Sequence, residues 1–142
     1  MLQSWRFWAI LSAVFAAMTA ILAKVGVSGV ASDVATLVRT IVIVLFAAAL
    51  VAATGQGAAL GQISGRSLLF LILSGLATGA SWLCYFRALS LGDAARVAPL
   101  DKLSVVLVAI LGASLLGESL SVTAWAGVAL IAAGAALVAS GW

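Results

Sequence analysis

The sequence contains no histidine, one cysteine and one proline in 142 residues. Without histidine it lacks the usual proton relay at neutral pH and the commonest nitrogen ligand for metals. The lone cysteine, Cys84, can form neither an intramolecular disulfide nor a paired-thiolate metal site. These absences argue against a disulfide-stabilised fold and against most metal centres.

Charged residues are also scarce, at 8% of the chain, whereas 65% of residues are hydrophobic. Soluble domains are about one quarter charged and about half apolar, so a water-soluble fold of this composition would aggregate. The composition therefore predicts an integral membrane protein whose main partner is the lipid bilayer. The net charge of +3 comes from few basic residues at the ends of apolar runs, which form no continuous basic stripe for nucleic acid.

Five apolar runs are long enough to cross a membrane, because about 20 apolar residues rising 1.5 Å each span a hydrocarbon core of about 30 Å. We predict helices at about 5–25, 34–53, 67–90, 97–117 and 121–142. Turns rich in Gly, Ser and Asp separate them. Pro99 falls near the start of the fourth helix, where its missing N–H costs little. The predicted fold class is all-α membrane protein, with residues 1–142 forming a single transmembrane domain.

The first run resembles a signal peptide because it follows the basic Arg6. It extends from Phe7 to Ala23, beyond the usual length of about 7–15 residues, and no convincing cleavage site precedes Lys24. We therefore predict a retained first span and a multi-pass protein of the cell (inner) membrane. Five spans place the termini on opposite sides, which we call side A for the N-terminus and side B for the C-terminus.

Ionisable residues cluster toward side B. If Arg39 lay outside the membrane, the second span would retain only about 14 residues, or about 21 Å, which is too short. The fourth span needs Asp101 and Lys102 for the same reason. Lys24 and Arg87, at the ends of the first and third spans, also lie toward side B.

Two interpretations of this cluster remain open. Long basic side chains can snorkel to lipid headgroups, which would make side B cytoplasmic. Alternatively, they line a polar vestibule for a small ligand, because ionisable groups within spans usually mark a pathway or site. The depth of Arg39 and Lys102 favours the vestibule, as does the carboxylate of Asp101, which cannot snorkel far. Trp82 and Tyr85, inside the third span, are either core packing or a wall of that vestibule.

The predicted substrate pathway therefore comprises seven residues: Lys24, Arg39, Trp82, Tyr85, Arg87, Asp101 and Lys102. No catalytic motif, phosphate-binding glycine loop or cluster of metal ligands is recognisable, so we predict no enzyme activity, no cofactor and no metal. Proton coupling would have to use Asp101 or Glu118. Glu118 also fits a capping or solvated acid before the fifth helix.

Several segments carry a family resemblance: Tyr85–Leu89 with Gly92-Asp93, Val97–Ser104, Leu116–Ser121 with Trp125–Gly127, and upstream Ala23–Gly26 and Leu37–Thr40. In order and spacing they resemble an EamA-type domain of the drug/metabolite transporter superfamily, over nearly all of the chain. Larger members resemble two such five-helix units inserted in opposite orientations, with substrate between them. The resemblance therefore implies half of a ten-helix inverted-repeat transporter, completed by a homodimer or a similar partner. Parallel and antiparallel dimers both remain open.

The resemblance implies a transporter of small metabolites that works by alternating access in a dimer. A basic vestibule favours anionic or zwitterionic solutes by charge complementarity. The small multidrug resistance proteins resemble a four-helix version with an acid in the first helix, whereas this chain has Lys24 there, so their export of cationic drugs is not implied. The alternative is a non-transporting membrane subunit or scaffold that contacts a partner protein through Gly- and Ala-rich faces.

Overall fold

The computed structural model describes residues 4–140, so the predicted end of the last span, residues 141–142, lies outside the described residues. The described residues form helices and no strands, which confirms the all-α prediction. The helices are α1 (Trp5–Gly26), α2 (Ser32–Ala53), a 3₁₀ helix (Gln56–Gln62), α3 (Gly65–Leu91), α4 (Ala94–Asp101), α5 (Leu103–Leu115) and α6 (Val122–Ser140).

Five segments are long and apolar enough to cross a membrane, as predicted. Four of them are the single helices α1, α2, α3 and α6, and the remaining one is Ala94–Leu115, which combines α4 and α5. The 3₁₀ helix occupies the polar connection between the second and third spans, where the sequence analysis expected only a turn-rich segment.

The fourth span differs from the predicted continuous helix 97–117, because it starts at Ala94 and is interrupted at Lys102. The Lys102 N–H bonds to the Pro99 carbonyl at 3.1 Å, and the Val105 N–H bonds to the Lys102 carbonyl at 2.9 Å. Both bonds span three residues, so a tight 3₁₀-type turn joins α4 to α5. Pro99 therefore lies inside α4 rather than at its start, and its missing N–H removes one helical bond.

The chain divides into two compact units. The first, residues 23–90, contains α2 and α3, and we call it the central unit. Ser32 and Thr36 of α2 are buried, and Arg39 and Thr40 on the same face are half-buried. The Thr36 hydroxyl donates to the Ser32 carbonyl at 2.9 Å, and the Thr40 hydroxyl donates to the Thr36 carbonyl at 2.8 Å. These internal bonds satisfy the hydroxyl groups without water, as a lipid environment requires.

The second unit, which we call the flanking unit, contains residues 4–22 and 91–140. In it α6 packs against both α4 and α5. Ala135 of α6 and Gly112 of α5 are buried, consistent with the small residues that allow close helix packing in membranes. The Arg96 guanidinium donates to the Ala139 carbonyl at 3.2 Å, so a cation from α4 caps the C-terminal end of α6.

Candidate functional site

An arginine and two aromatic rings form the most distinctive side-chain cluster of the central unit. The Cζ atom of Arg39 on α2 lies 4.3 Å from the ring centroid of Trp82 on α3. The same atom lies 5.4 Å from the ring centroid of Phe86. Trp82 and Phe86 are one helical turn apart and share a face of α3. Both distances are within the range of about 6 Å at which ring faces attract cations.

Arg39 and the two rings that it contacts lie away from the ends of α2 and α3. Arg39 lies about 10 Å along α2 from Ser32, and Trp82 lies about 14 Å along α3 before Leu91, at the standard helical rise. The guanidinium is thus held on rings well inside both spans, and Phe86 beneath it is only 3% exposed. For Arg39 this arrangement favours an interior cation over a snorkelling one.

Basic residues outnumber acidic residues in the central unit. The central unit contains the basic residues Lys24, Arg39, Arg66 and Arg87 and a single acid, Asp33. The Asp33 carboxylate accepts a hydrogen bond from the Ser32 hydroxyl at 3.3 Å. The whole net charge of +3 is therefore carried by residues 23–90, since acids and bases balance in the rest of the chain. The central unit therefore carries a surplus of positive charge.

Lys24 lies at the end of α1 and contacts the end of α3. Its Nζ atom donates to the Leu89 carbonyl at 2.8 Å. Leu89 is in the last turn of α3, where carbonyl groups have no helical partner, so the ammonium group caps the helix. An open recess of about 520 Å³ surrounds this contact and is lined by Lys24, Val25, Val27, Ser28, Gly29, Leu89 and Ser90. Lys24 therefore has a structural role whether or not solute passes this recess.

The remaining predicted residues of the central unit lie on α3. Tyr85 is half-buried and close enough to Arg39 to interact with it electrostatically. Arg87 is exposed, and its carbonyl group accepts a hydrogen bond from the Ser90 hydroxyl at 2.7 Å. The central unit thus brings Arg39, Trp82 and Tyr85 together, whereas Lys24 belongs to the separate recess at the end of α3.

Asp101 and Lys102 belong to the flanking unit and lie at the interruption between α4 and α5. They form an ion pair with one another, with the Lys102 Nζ atom 3.6 Å from an Asp101 carboxylate oxygen. Both side chains are exposed, at 55% for Lys102 and 38% for Asp101. Exposed pairs of this kind contribute little stability, so the pair leaves both groups accessible for another role.

Glu118 folds back against the end of α5. Gly117 has a left-handed backbone with φ 69°, which reverses the chain so that the Glu118 N–H reaches the Gly112 carbonyl at 3.1 Å. A Cβ atom at Gly112 would lie 2.7 Å from a Glu118 carboxylate oxygen, so glycine permits this close approach. The cap of α6 is instead Ser121, whose hydroxyl oxygen accepts the Ala124 N–H at 3.2 Å.

Two groups that contact the predicted pathway residues were not themselves predicted from the sequence. Phe86 supplies the second ring beneath Arg39, and its spacing of four residues after Trp82 was the available signal. The Leu89 carbonyl is a backbone acceptor, so no side-chain pattern indicates it. Among residues 4–140, no group of three His, Cys, Asp or Glu side chains is placed to hold a metal ion.

Comparison with known proteins gives the family. The profile of the EamA-like transporter family matches residues 3–140. A curated Sinorhizobium protein named "Uncharacterized transporter in cobO 3'region" is 67% identical over 139 residues, covering 98% of this chain and 99% of that protein. No solved structure matches significantly. With its five apolar helices of membrane length, this chain belongs to the EamA-like transporter family.

Proposed function

We propose that the protein carries small anionic or zwitterionic metabolites across the cell (inner) membrane by alternating access within a dimer, and that it is not an enzyme. The observation that carries the proposal is the Arg39 guanidinium held on Trp82 and Phe86 within the spans. Isolated charges are costly at this depth, so a cation kept there on a surface of aromatic rings is suited to receive a negatively charged group.

The proposed pathway includes the seven residues identified from the sequence, together with Phe86. In the central unit, Arg39 attracts the solute while Trp82 and Tyr85 form an amphipathic wall beside it. In the flanking unit, Asp101 and Lys102 can exchange their mutual ion pair for contacts with solute, because their pair is exposed. Asp101 and Glu118 are the candidate groups for proton coupling, since the chain has no histidine.

Transport is tested most simply with purified protein in liposomes and a panel of labelled anionic, zwitterionic and cationic solutes. We expect flux of anionic or zwitterionic solutes, and loss of that flux in Arg39→Ala and Asp101→Asn despite normal membrane insertion. Arg66→Ala is the matched control, because Arg66 is an exposed arginine at the opposite end of α3. Wild-type flux in both test variants would contradict the proposed pathway.

The same experiment separates the transporter from the alternative, a non-transporting subunit or scaffold. A subunit would give no flux with any solute in the panel, although it would insert and associate normally. If flux appears only when a second protein is added to the same liposomes, the functional unit is a complex with that protein rather than a dimer of this chain.

The proposed dimer is antiparallel, because two oppositely inserted copies would reproduce the inverted repeat of larger transporters. Cysteine labelling in intact cells tests this arrangement. Ser4→Cys and Ser140→Cys are introduced separately into a Cys84→Ala background and exposed to a membrane-impermeant maleimide. Labelling of a fraction of the molecules at each position supports the antiparallel dimer, whereas labelling at only one of the two positions contradicts it.

A further inference from the structure

We propose that Arg39, Trp82 and Phe86 form a binding site for a carboxylate group of the solute. In this site the two rings fix the guanidinium so that paired N–H donors meet both carboxylate oxygens. The inference rests on the proposed transport function and adds to it the recognised group and the residues that position Arg39. We call these three residues the carboxylate site.

The rings determine which part of the guanidinium is available. The Arg39 Cζ atom lies over the Trp82 ring, 4.3 Å from its centroid, and over the Phe86 ring, 5.4 Å from its centroid. All five N–H donors of arginine lie in the plane of the guanidinium and point outward from its edge. Cation–π contacts depend on the charge of the guanidinium, so the two rings can hold the group while its N–H donors remain for another partner.

Those donors are open for a ligand. No hydrogen bond or ion pair joins Arg39 to another residue of the described range 4–140. Its contacts there are with the rings of Trp82 and Phe86 and with the nearby Tyr85. Every buried side-chain nitrogen or oxygen atom in that range has a hydrogen-bond partner. The N–H edge of Arg39 must therefore face accessible space rather than packed protein.

A carboxylate fits this edge better than the other common oxyanions. Two parallel N–H donors match two coplanar oxygens, and the resulting bidentate pair is charge-assisted and directional. One guanidinium carries a single positive charge, which balances one carboxylate but not a doubly charged phosphate. Lipid phosphodiesters lie at the membrane interface, whereas the rings hold Arg39 about 14 Å before the end of α3. These arguments favour a solute over a lipid headgroup.

Chemical protection of Arg39 tests the site without requiring the physiological substrate. Phenylglyoxal modifies accessible arginines, and peptide mass spectrometry measures the rate at each one separately. The wild-type protein is treated in maltoside detergent and in phosphatidylcholine nanodiscs, with sodium benzoate, its neutral analogue benzamide, or inorganic phosphate. Arg66, which is exposed, serves as the internal control in every sample.

We expect benzoate to slow the modification of Arg39 at least about threefold in both environments, as a bidentate charge-assisted pair would. Benzamide should leave that rate unchanged, phosphate should slow it less than benzoate does, and none of the additives should change the rate at Arg66. The proposal is overturned if benzoate gives no protection, or if phosphate protects equally well. It is also overturned if Arg39 is protected in nanodiscs without any added anion, because lipid phosphate would then occupy the site.

Substitution of the ring gives a second test. Trp82→Phe keeps an aromatic face, so protection by benzoate should persist, whereas Trp82→Leu should reduce it to less than about twofold while Arg39 remains reactive. Equal protection in both variants would overturn the positioning role of the ring. Protection without flux would support the carboxylate site and contradict transport, whereas flux without protection would support transport and contradict the site.

Discussion

The contact between Arg39 and Trp82 can be measured as a coupling free energy. Arg39→Met removes the charge, Trp82→Leu removes the ring, and the double variant removes both. Cation–π contacts contribute about 0.5–1 kcal/mol when exposed and about 2 kcal/mol when desolvated. Because Arg39 is half-buried, we expect a coupling of about 1 kcal/mol, or roughly a fivefold change in the unfolding equilibrium.

The assay is reversible unfolding in mixed micelles of increasing dodecyl sulfate content, followed by the fluorescence of the remaining tryptophans. The smaller ring of Phe86 at the longer distance of 5.4 Å should couple to Arg39 by only about 0.5 kcal/mol. Arg66→Met with Trp82→Leu is the control cycle, because about 24 Å of helix separates these residues. A coupling between Arg39 and Trp82 that is within about 0.3 kcal/mol of zero would refute the cation–π contact between these residues.

Three further predictions concern helix ends and use the same unfolding assay. Lys24→Met should lower the free energy of unfolding by about 0.5–1 kcal/mol, because it removes the cation that caps α3. Lys24→Arg should keep most of that stability. An equal loss of stability in both variants would contradict the capping role. Ser121→Ala should cost about 1 kcal/mol through loss of the α6 cap, and Ser119→Ala in the same loop should have no effect. Gly112→Ala should leave stability unchanged or raise it by up to about 1 kcal/mol, because the new methyl group meets only the flexible Glu118 side chain. A large destabilisation would show that Glu118 is held in place.

The spans could be predicted from the sequence because apolar length is a local property. The need to include Arg39 in the second span followed from length alone, and α2 begins at Ser32, well before that residue. The interruption at Lys102 could not be predicted, because it consists of backbone bonds across three residues that no hydrophobic pattern encodes. The early start of α4 depended on the extended backbone of Asp93, whose carbonyl accepts the first helical bonds.

The sequence predicts most residues of the candidate site, but it does not predict which of them contact one another. A cation at intramembrane depth and an aromatic group inside a span are both recognisable, so the sequence indicates Arg39 and Trp82 independently of each other. The contact between them depends on the register between α2 and α3, which cannot be predicted from the pattern of residues in one sequence. Phe86 was not predicted as part of the pathway, because an aromatic residue beside others inside a span more often belongs to core packing. The exposed ion pair of Asp101 and Lys102 likewise depends on the turn between α4 and α5.

The most direct test of the central claim is the uptake rate of the best anionic solute into liposomes that contain equal amounts of wild-type, Arg39→Lys or Arg39→Gln protein. A charge-assisted hydrogen bond contributes about 1.5–3 kcal/mol, so kcat/KM should fall by about 10–100-fold in Arg39→Gln. Arg39→Lys should be intermediate, because it keeps the charge but loses the paired donors. Equal kcat/KM in all three proteins would contradict the claim that an intramembrane arginine binds the transported solute.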